Sequence, residues 1–508
     1  MSTKILSAAV VGLNCELVEV EADSINALPK FIVVGLPDMA VQESRQRVRS
    51  AVKNSGFPWP RGQVTVNLAP ADLKKAGPAY DLPIALAILI AGHSLVLPAD
   101  YSDALFVGEL ALDGHLRPVN GVLPLAIMAR DKAIKKIFVP TENAAEAALI
   151  TDLEVYPATS LTEVVLHLTG EAPIGQFQKS ETLSESPGDI PSKFDMAYVQ
   201  GQEHVKRALE IAAAGQHNIL MSGPPGSGKT LLARSMPTIL PEMTLEESLE
   251  VTKIYSVAGL LPPAEPLIRV RPFRSPHHTA SGVSLVGGGA WPKPGEISLA
   301  HRGVLFLDEF PEFPRLVLDY LRQPLEDGII NISRAAGTLQ FPAKFILLAS
   351  MNPCPCGYYS DPEKNCTCTP IQIANYQKKI SGPILDRIDI HIEVPRIDFQ
   401  KLSATESGEP SAAIRARVNA ARSRQLMRFQ NTKLVSNAEM SSEDVRRICQ
   451  TDAATQDLLK RAVQQMRLSA RGYYRILKLA RTIADLSTEE NIKTEHVAEA
   501  LQYRPKVE

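Results

Sequence analysis

Residues 223–230 read GPPGSGKT, preceded by NILMS and followed by LLARSM. An apolar run, a glycine loop and a helical run in that order build a phosphate cradle. Backbone N–H groups wrap phosphate oxygens closely only where no Cβ intervenes, which is the use of Gly223, Gly226 and Gly228. Pro224, Pro225 and Ser227 complete the loop. Lys229 would reach the β- and γ-phosphates of ATP and the Thr230 hydroxyl would ligate Mg2+. The helix starting there points its N-terminal dipole at the anion. About eighty residues on, RGVLFLDEF (302–310) is an apolar strand ending in two acids. Asp308 suits the water shell of Mg2+, and Glu309 suits the orientation and deprotonation of an attacking water. A third apolar strand, FILLASMNP (345–353), ends in Asn352, an amide able to position the same water. SGPILDRIDI (381–390) carries Arg387. Its guanidinium is either a finger for charge developing on a neighbour's γ-phosphate or a local partner of Asp386 or Asp389.

Cys354, Cys356, Cys366 and Cys368 fall within fifteen residues, as two C-x-C pairs separated by nine. Four thiolates across a short loop can close a tetrahedral Zn2+ site with no open position, so such a metal would be structural. Reduced thiols, an iron–sulfur cluster and disulfides are the alternatives. Cys15 and Cys449 stand alone. His277 and His278, in a glycine-rich stretch, read as turn or pore-loop residues and not as site residues.

These residues must be carried by several domains, because the chain has 508 residues and about 150 make a domain. Two polar stretches, 171–195 and 396–411, read as linkers. They leave 1–170, 196–395 and 412–508. The first part mixes strands at 31–35, 64–68 and 135–140 with helices at 81–92 and 123–133, an α+β pattern. The second alternates strand and helix, as a parallel sheet requires. The third is helical by pattern. No apolar run is long enough for a membrane span, and the N-terminus reads as a strand and not a signal peptide, so a cytoplasmic location is expected. Net charge is −2, but residues 411–481 hold fifteen Lys or Arg against five Asp or Glu. That excess suits a phosphate backbone and equally a solvated helical face.

The order and spacing of the site elements resemble the AAA+ ATPases. YVQGQEHVKRALEIAAAGQHNILMSGPPGSGKT (198–230) looks like the entry of the magnesium-chelatase and MCM branch, where a Gly-Gln turn precedes a helix near the adenine. Residues 273–303 match that branch's helix-2 insertion. Residues 321–345 match its pre-sensor hairpin, which the resemblance places on Ile329–Arg334 and Thr338–Phe341 with Arg334, Ala335, Ala336 and Gly337 near the tip. MRLSARGYYRILKLARTIADL (466–486) looks like the helical lid, with Arg471 as sensor-2 arginine and Arg475 as runner-up. Residues 64–89 and 105–140 are similar to the proteolytic domain of Lon proteases, an S5-type fold. The family's nucleophilic Ser falls on Ala79 and its Lys on Leu123, so the resemblance implies the fold without the peptidase.

Together these parts resemble the YifB/ComM family of magnesium-chelatase-like ATPases. The resemblance implies a homohexameric ring and a DNA helicase acting in branch migration and homologous recombination during natural transformation. Single-stranded and branched DNA would be the partners, with Arg334 as a pore contact to phosphate or a partner of a neighbour's acid. Two other functions fit the same core: a chelatase subunit inserting Mg2+ into a porphyrin, and a protein remodeller.

Overall fold

The computed structural model describes residues 3–178, 192–262, 265–289, 292–334, 337–359, 361, 363–396 and 408–504. Parts of both expected linkers, 179–191 and 397–407, lie outside them. Two compact units are formed, Met1–Ser186 with Ser248–Ile268, and Pro187–Glu247 with Arg269–Glu508. Among the described residues no helix is long and apolar enough to cross a membrane.

The first unit is built on a seven-stranded sheet. Its order is Lys30–Val34, Gln63–Ala69, Asn14–Ile25, Thr3–Val11, Leu105–Phe106, Lys136–Pro140, Glu154–Ala158. The long strands Thr3–Val11 and Asn14–Ile25 pair antiparallel. The last three strands run parallel. Helix Asp81–Ala91 is buried almost all round, which fits its run of Leu, Ile and Ala. Asp81, at its first turn, is wholly buried beneath Arg47 at 2.8 Å. Burial pushes its carboxyl up to about 6 in spite of that guanidinium.

The second unit contains the parallel sheet expected from the alternating pattern. The strand order is Phe273–Arg274, Val304–Leu307, Ile346–Met351, Ile219–Ser222, Ile390–Glu393, with every neighbouring pair parallel. Val304–Leu307 and Ile346–Met351 are buried at every position, as strands covered on both faces must be. Helix Glu203–Gly215 is buried over most of its length. It shares one apolar cluster with the sheet and the C-terminal helices, including Ser411–Arg428 and Ala470–Leu486. In the C-terminal region Ser441 and Asp444 close a reciprocal capping box.

A polar knot holds the C-terminal helices. Asp485 is 1% exposed and accepts from Arg428, from Arg481 Nε at 3.2 Å and from Asn437 Nδ2 at 2.8 Å. Removing the carboxylate would leave two guanidiniums without a counter-charge in a dry setting. Asp485→Ala is therefore expected to lower stability by about 3–5 kcal/mol. Faster amide exchange throughout Ala470–Leu486 would register it. Exchange matching the wild type would show that the knot carries little.

Candidate active site

All five strands of this parallel sheet leave it on one edge, and that edge gathers the catalytic candidates. The loop 223–230 follows Ile219–Ser222, Asp308 and Glu309 follow Val304–Leu307, and Asn352 follows Ile346–Met351. Gly226 and Gly228 take φ of +80° and +86°, values that cost a residue with a Cβ. A Cβ on Gly223 would fall 2.2 Å from Val394 O. Lys229 begins the loop's helix. Its ammonium donates to Gly223 O at 2.7 Å and Pro224 O at 2.8 Å, with Asn352 Oδ1 at 3.3 Å. Burial pushes this ammonium down to about 8. A polyanion at the loop would offset that burial and favour the charged ammonium, so the residues fit a nucleotide phosphate.

Asp308 is aimed by three donors. Thr230 Oγ1 lies at 2.9 Å and the Glu309 N–H at 3.0 Å, and Ser350 Oγ also donates. Thr230 and Asp308 thus form a paired oxygen set of the kind that suits Mg2+. Gln202, in a left-handed turn at φ +59°, donates from Nε2 to Ser227 O at 2.8 Å and to Pro395 O at 3.0 Å. It pins the loop to the segment after the last strand. Its buried Oε1 has no hydrogen-bond partner among the described residues.

Glu309 adopts φ +53°, a strain of about 1 kcal/mol or more for such a residue. Its Oε2 sits 3.1 Å from His278 Nδ1. His278 lies in a turn, as expected, and from that turn it also faces the acid of this site, although the sequence left it out of the site residues. The pair is 31 positions apart in the chain, and only folding of the 273–303 segment against the acidic strand brings it together.

The four cysteine sulfurs lie within 4.8 Å of one another. Cys354 and Cys356 are 3.3 Å apart, Cys354 and Cys366 3.6 Å, Cys356 and Cys366 3.5 Å. Tetrahedral Zn–S bonds of about 2.3 Å need sulfurs about 3.8 Å apart, so the set fits Zn2+ after a small expansion. The N–H groups of Tyr358 and Thr367 hold the Cys356 thiol down to about 5. The loop leans on the phosphate cradle: Gly357 has φ +84°, and a Cβ there would meet Pro225 Cδ at 2.7 Å.

Arg387 and Arg471 are elsewhere. Asn218 and Asp389 mark the opposite edge of the sheet, at the beginnings of strands Ile219–Ser222 and Ile390–Glu393. Asn218 Nδ2 holds the Arg387 carbonyl at 3.0 Å. Four residues of strand, about 13 Å, separate that edge from the phosphate loop. There, Arg387 and Arg471 both pair with Glu326, the latter at 2.9 Å. Asp386 and Asp389, the local partners considered for Arg387, are not its ion-pair partners. Arg475 instead lies 3.6 Å from Asp389. A cavity of about 610 Å3 opens beside these groups. The hairpin forms from Ile329–Arg334 and Gly337–Pro342, with Arg334 opposite Gly337. Ala335 and Ala336 lie outside the described residues.

A phosphate loop, an acidic strand end and an amide-bearing strand on one parallel sheet, followed by a helical region, define an AAA+ protein of the magnesium-chelatase type. Residues 195–402 match the family described as magnesium chelatase, subunit ChlI. Residues 20–143 match subunit ChlI of Mg-chelatase, and 408–504 its C-terminal part. Competence protein ComM of Haemophilus influenzae is 46% identical over 506 residues, 99% of this chain and 97% of that protein. YifB of Salmonella typhimurium is 44% identical over 501 residues, 98% of this chain and 96% of that one. Lon protease 1 of Hydrogenovibrio crunogenus is 28% identical over 161 residues, 29% of this chain and 19% of that protein. The chain belongs to the YifB/ComM family of magnesium-chelatase-like AAA+ proteins. Membership of that AAA+ family implies ATPase activity.

The contact of Gly357 with Pro225 makes the cysteine loop a buttress of the cradle. Metal analysis of freshly prepared, reduced protein is expected to find about one Zn2+ per chain. Replacing Cys354 and Cys356 with Ser should release it and weaken nucleotide binding about tenfold, as for loss of a supporting group. Full nucleotide affinity in the metal-free variant would remove the buttress role.

Proposed function

We propose that this protein is an ATP-driven ring motor that translocates on DNA and promotes branch migration, serving recombination of DNA taken up in transformation. The observation that carries the reading is the near full-length likeness to a protein named for competence. The sheet geometry supports the ring. Arg387 and Arg471 stand at the edge away from their own phosphate loop, so a hydrolytic site using them needs a second copy. A homohexamer is the arrangement that the family resemblance implies.

In this scheme ATP lies on residues 223–230, with Lys229 facing its β- and γ-phosphates. Mg2+, when bound beside Thr230 and Asp308, supplies charge neutralisation at the phosphates. Glu309 takes the proton of the attacking water, Asn352 orients that water, and the neighbour's Arg387 meets the charge that develops. Arg471 is the sensor-2 arginine and assists from the same neighbour. Arg334, at the end of its hairpin strand, is placed in the scheme as the DNA-phosphate contact. The first unit is read as a Lon-like domain without peptidase activity. Ala79 and Leu123 stand in one apolar cluster, and the Leu123 N–H is spent on Glu146 at 2.8 Å.

A chelatase subunit is the second reading. The magnesium-chelatase 38 kDa subunit of Rhodobacter capsulatus matches over 32% of this chain at 27% identity. ATP turnover measured with branched DNA, with porphyrin and with unfolded protein separates the three functions, and stimulation by DNA alone is the expected result.

Glu309→Gln should bind ATP normally and lose turnover by about 100-fold or more, since only proton removal is lost. Movement of a four-way junction should stop with it. Junction migration persisting in this variant would overturn the motor reading.

Arg387→Ala and Lys229→Ala should each be nearly inactive, because a finger is worth about 1,000-fold. Mixed together, they should recover part of the turnover, since mixed rings pair an intact loop with an intact finger. No recovery at any ratio would argue against action on a neighbour.

A further inference from the structure

Glu326 is a single carboxylate to which two arginines from distant parts of the chain are bound. Arg387 follows the helix Gly382–Leu385, and Arg471 lies in the first turn of Ala470–Leu486. The separations along the chain are 61 and 145 residues. The Arg387 side chain is only 11% exposed in this arrangement. Its second nitrogen, Nη1, donates to Pro383 O at 2.7 Å. Arg471 is 62% exposed. The Arg387 guanidinium holds the Glu326 carboxyl below the ordinary carboxylate range, so Glu326 is charged at neutral pH. An anion with two oxygens shared between two guanidiniums has the charge and spacing of a phosphate edge.

We infer that Glu326 is a stand-in for the neighbouring subunit's γ-phosphate, a positioning residue that keeps Arg387 and Arg471 occupied until that phosphate displaces it. The inference rests on the reading of Arg387 as a finger that acts on a neighbour. A guanidinium already satisfied by a carboxylate must give it up before it can meet charge developing elsewhere, so Glu326 subtracts from hydrolysis in the resting ring. Its place in the chain supplies a release. Glu326 lies in the short helix Arg322–Asp327, which Gly328 ends at φ +66°. Gly328 O accepts from the Ala343 N–H at 2.8 Å, closing the base of the hairpin Ile329–Pro342. Two peptide units connect the carboxylate to that closure. Load on the hairpin therefore has a short covalent path to Glu326, through Gly328 and Asp327.

Glu326→Gln keeps the shape and removes the charge. In the full chain, turnover without DNA should rise about fivefold, as expected from releasing one ion pair of surface strength. KM for ATP should not rise, because Glu326 is remote from the chain's own phosphate loop and the neighbour's γ-phosphate no longer has to displace a carboxylate. Single-stranded DNA should then stimulate turnover by a smaller factor than in wild type. The gain should vanish in the double variant Glu326→Gln with Arg387→Ala, which a purely structural effect would not produce. Thermal unfolding and ring size, measured alongside, should match wild type. Unchanged or reduced DNA-free turnover in intact Glu326→Gln rings, with Arg387→Ala alone inactive, would overturn this inference and leave the finger. Wild-type turnover in Arg387→Ala alone would overturn the finger itself, and the role of Glu326 with it.

Discussion

In a parallel sheet the strands all leave on one edge and all enter on the other, so the two edges are chemically different places. Here the leaving edge has the glycine loop, the Asp308–Thr230 pair and Asn352, while the entering edge has Arg387, Arg471 and Glu326. No local side-chain motion exchanges groups between them, since a strand of four residues cannot be shortened without breaking its ladder. The division of labour between copies of the chain, proposed for hydrolysis, is a consequence of that polarity. The strands themselves are held by continuous burial on both faces.

The leaving edge is further stiffened from outside the sheet. Gln202 bridges the glycine loop and the segment after the last strand, and Gly357 presses the cysteine loop on Pro225. Both act on backbone conformation and not on phosphate directly. This is the route by which the cysteine loop would bear on a bound phosphate that it does not itself touch. It also separates two uses of glycine: in the loop it admits the phosphate, and at Gly357 it admits the loop.

Much of the leaving edge was legible in the sequence because each element is local. A glycine loop, a strand ending in two acids and a strand ending in an amide each reveal their geometry within ten residues. The parallel sheet followed from the alternation of apolar runs with helical patterns. What was not legible depends on distance along the chain. His278 meets Glu309 only after a glycine-rich segment folds back. Glu326 meets its two arginines across separations for which composition offers no signal, and a lone Glu in LRQPLEDG resembles any solvated helix residue. The cysteines were found by spacing, but their contact with the cradle was not, since it is made through a glycine with no side chain to notice.

Asn218 gives the sheet a mechanical character. Its Oδ1 accepts from the Leu347 N–H at 2.8 Å, its Nδ2 donates to Arg387 O at 3.0 Å, and its own N–H donates to Asp389 Oδ2 at 3.1 Å. One residue thus clamps the roots of three adjacent strands, and the middle one leads straight into the glycine loop. In a ring, a pull on Arg387 by the adjoining subunit's nucleotide would load that middle strand along its axis, its stiffest direction. In the proposed ring the strand would then be a tie rod, and tension at one nucleotide would be felt at the next without any domain having to turn.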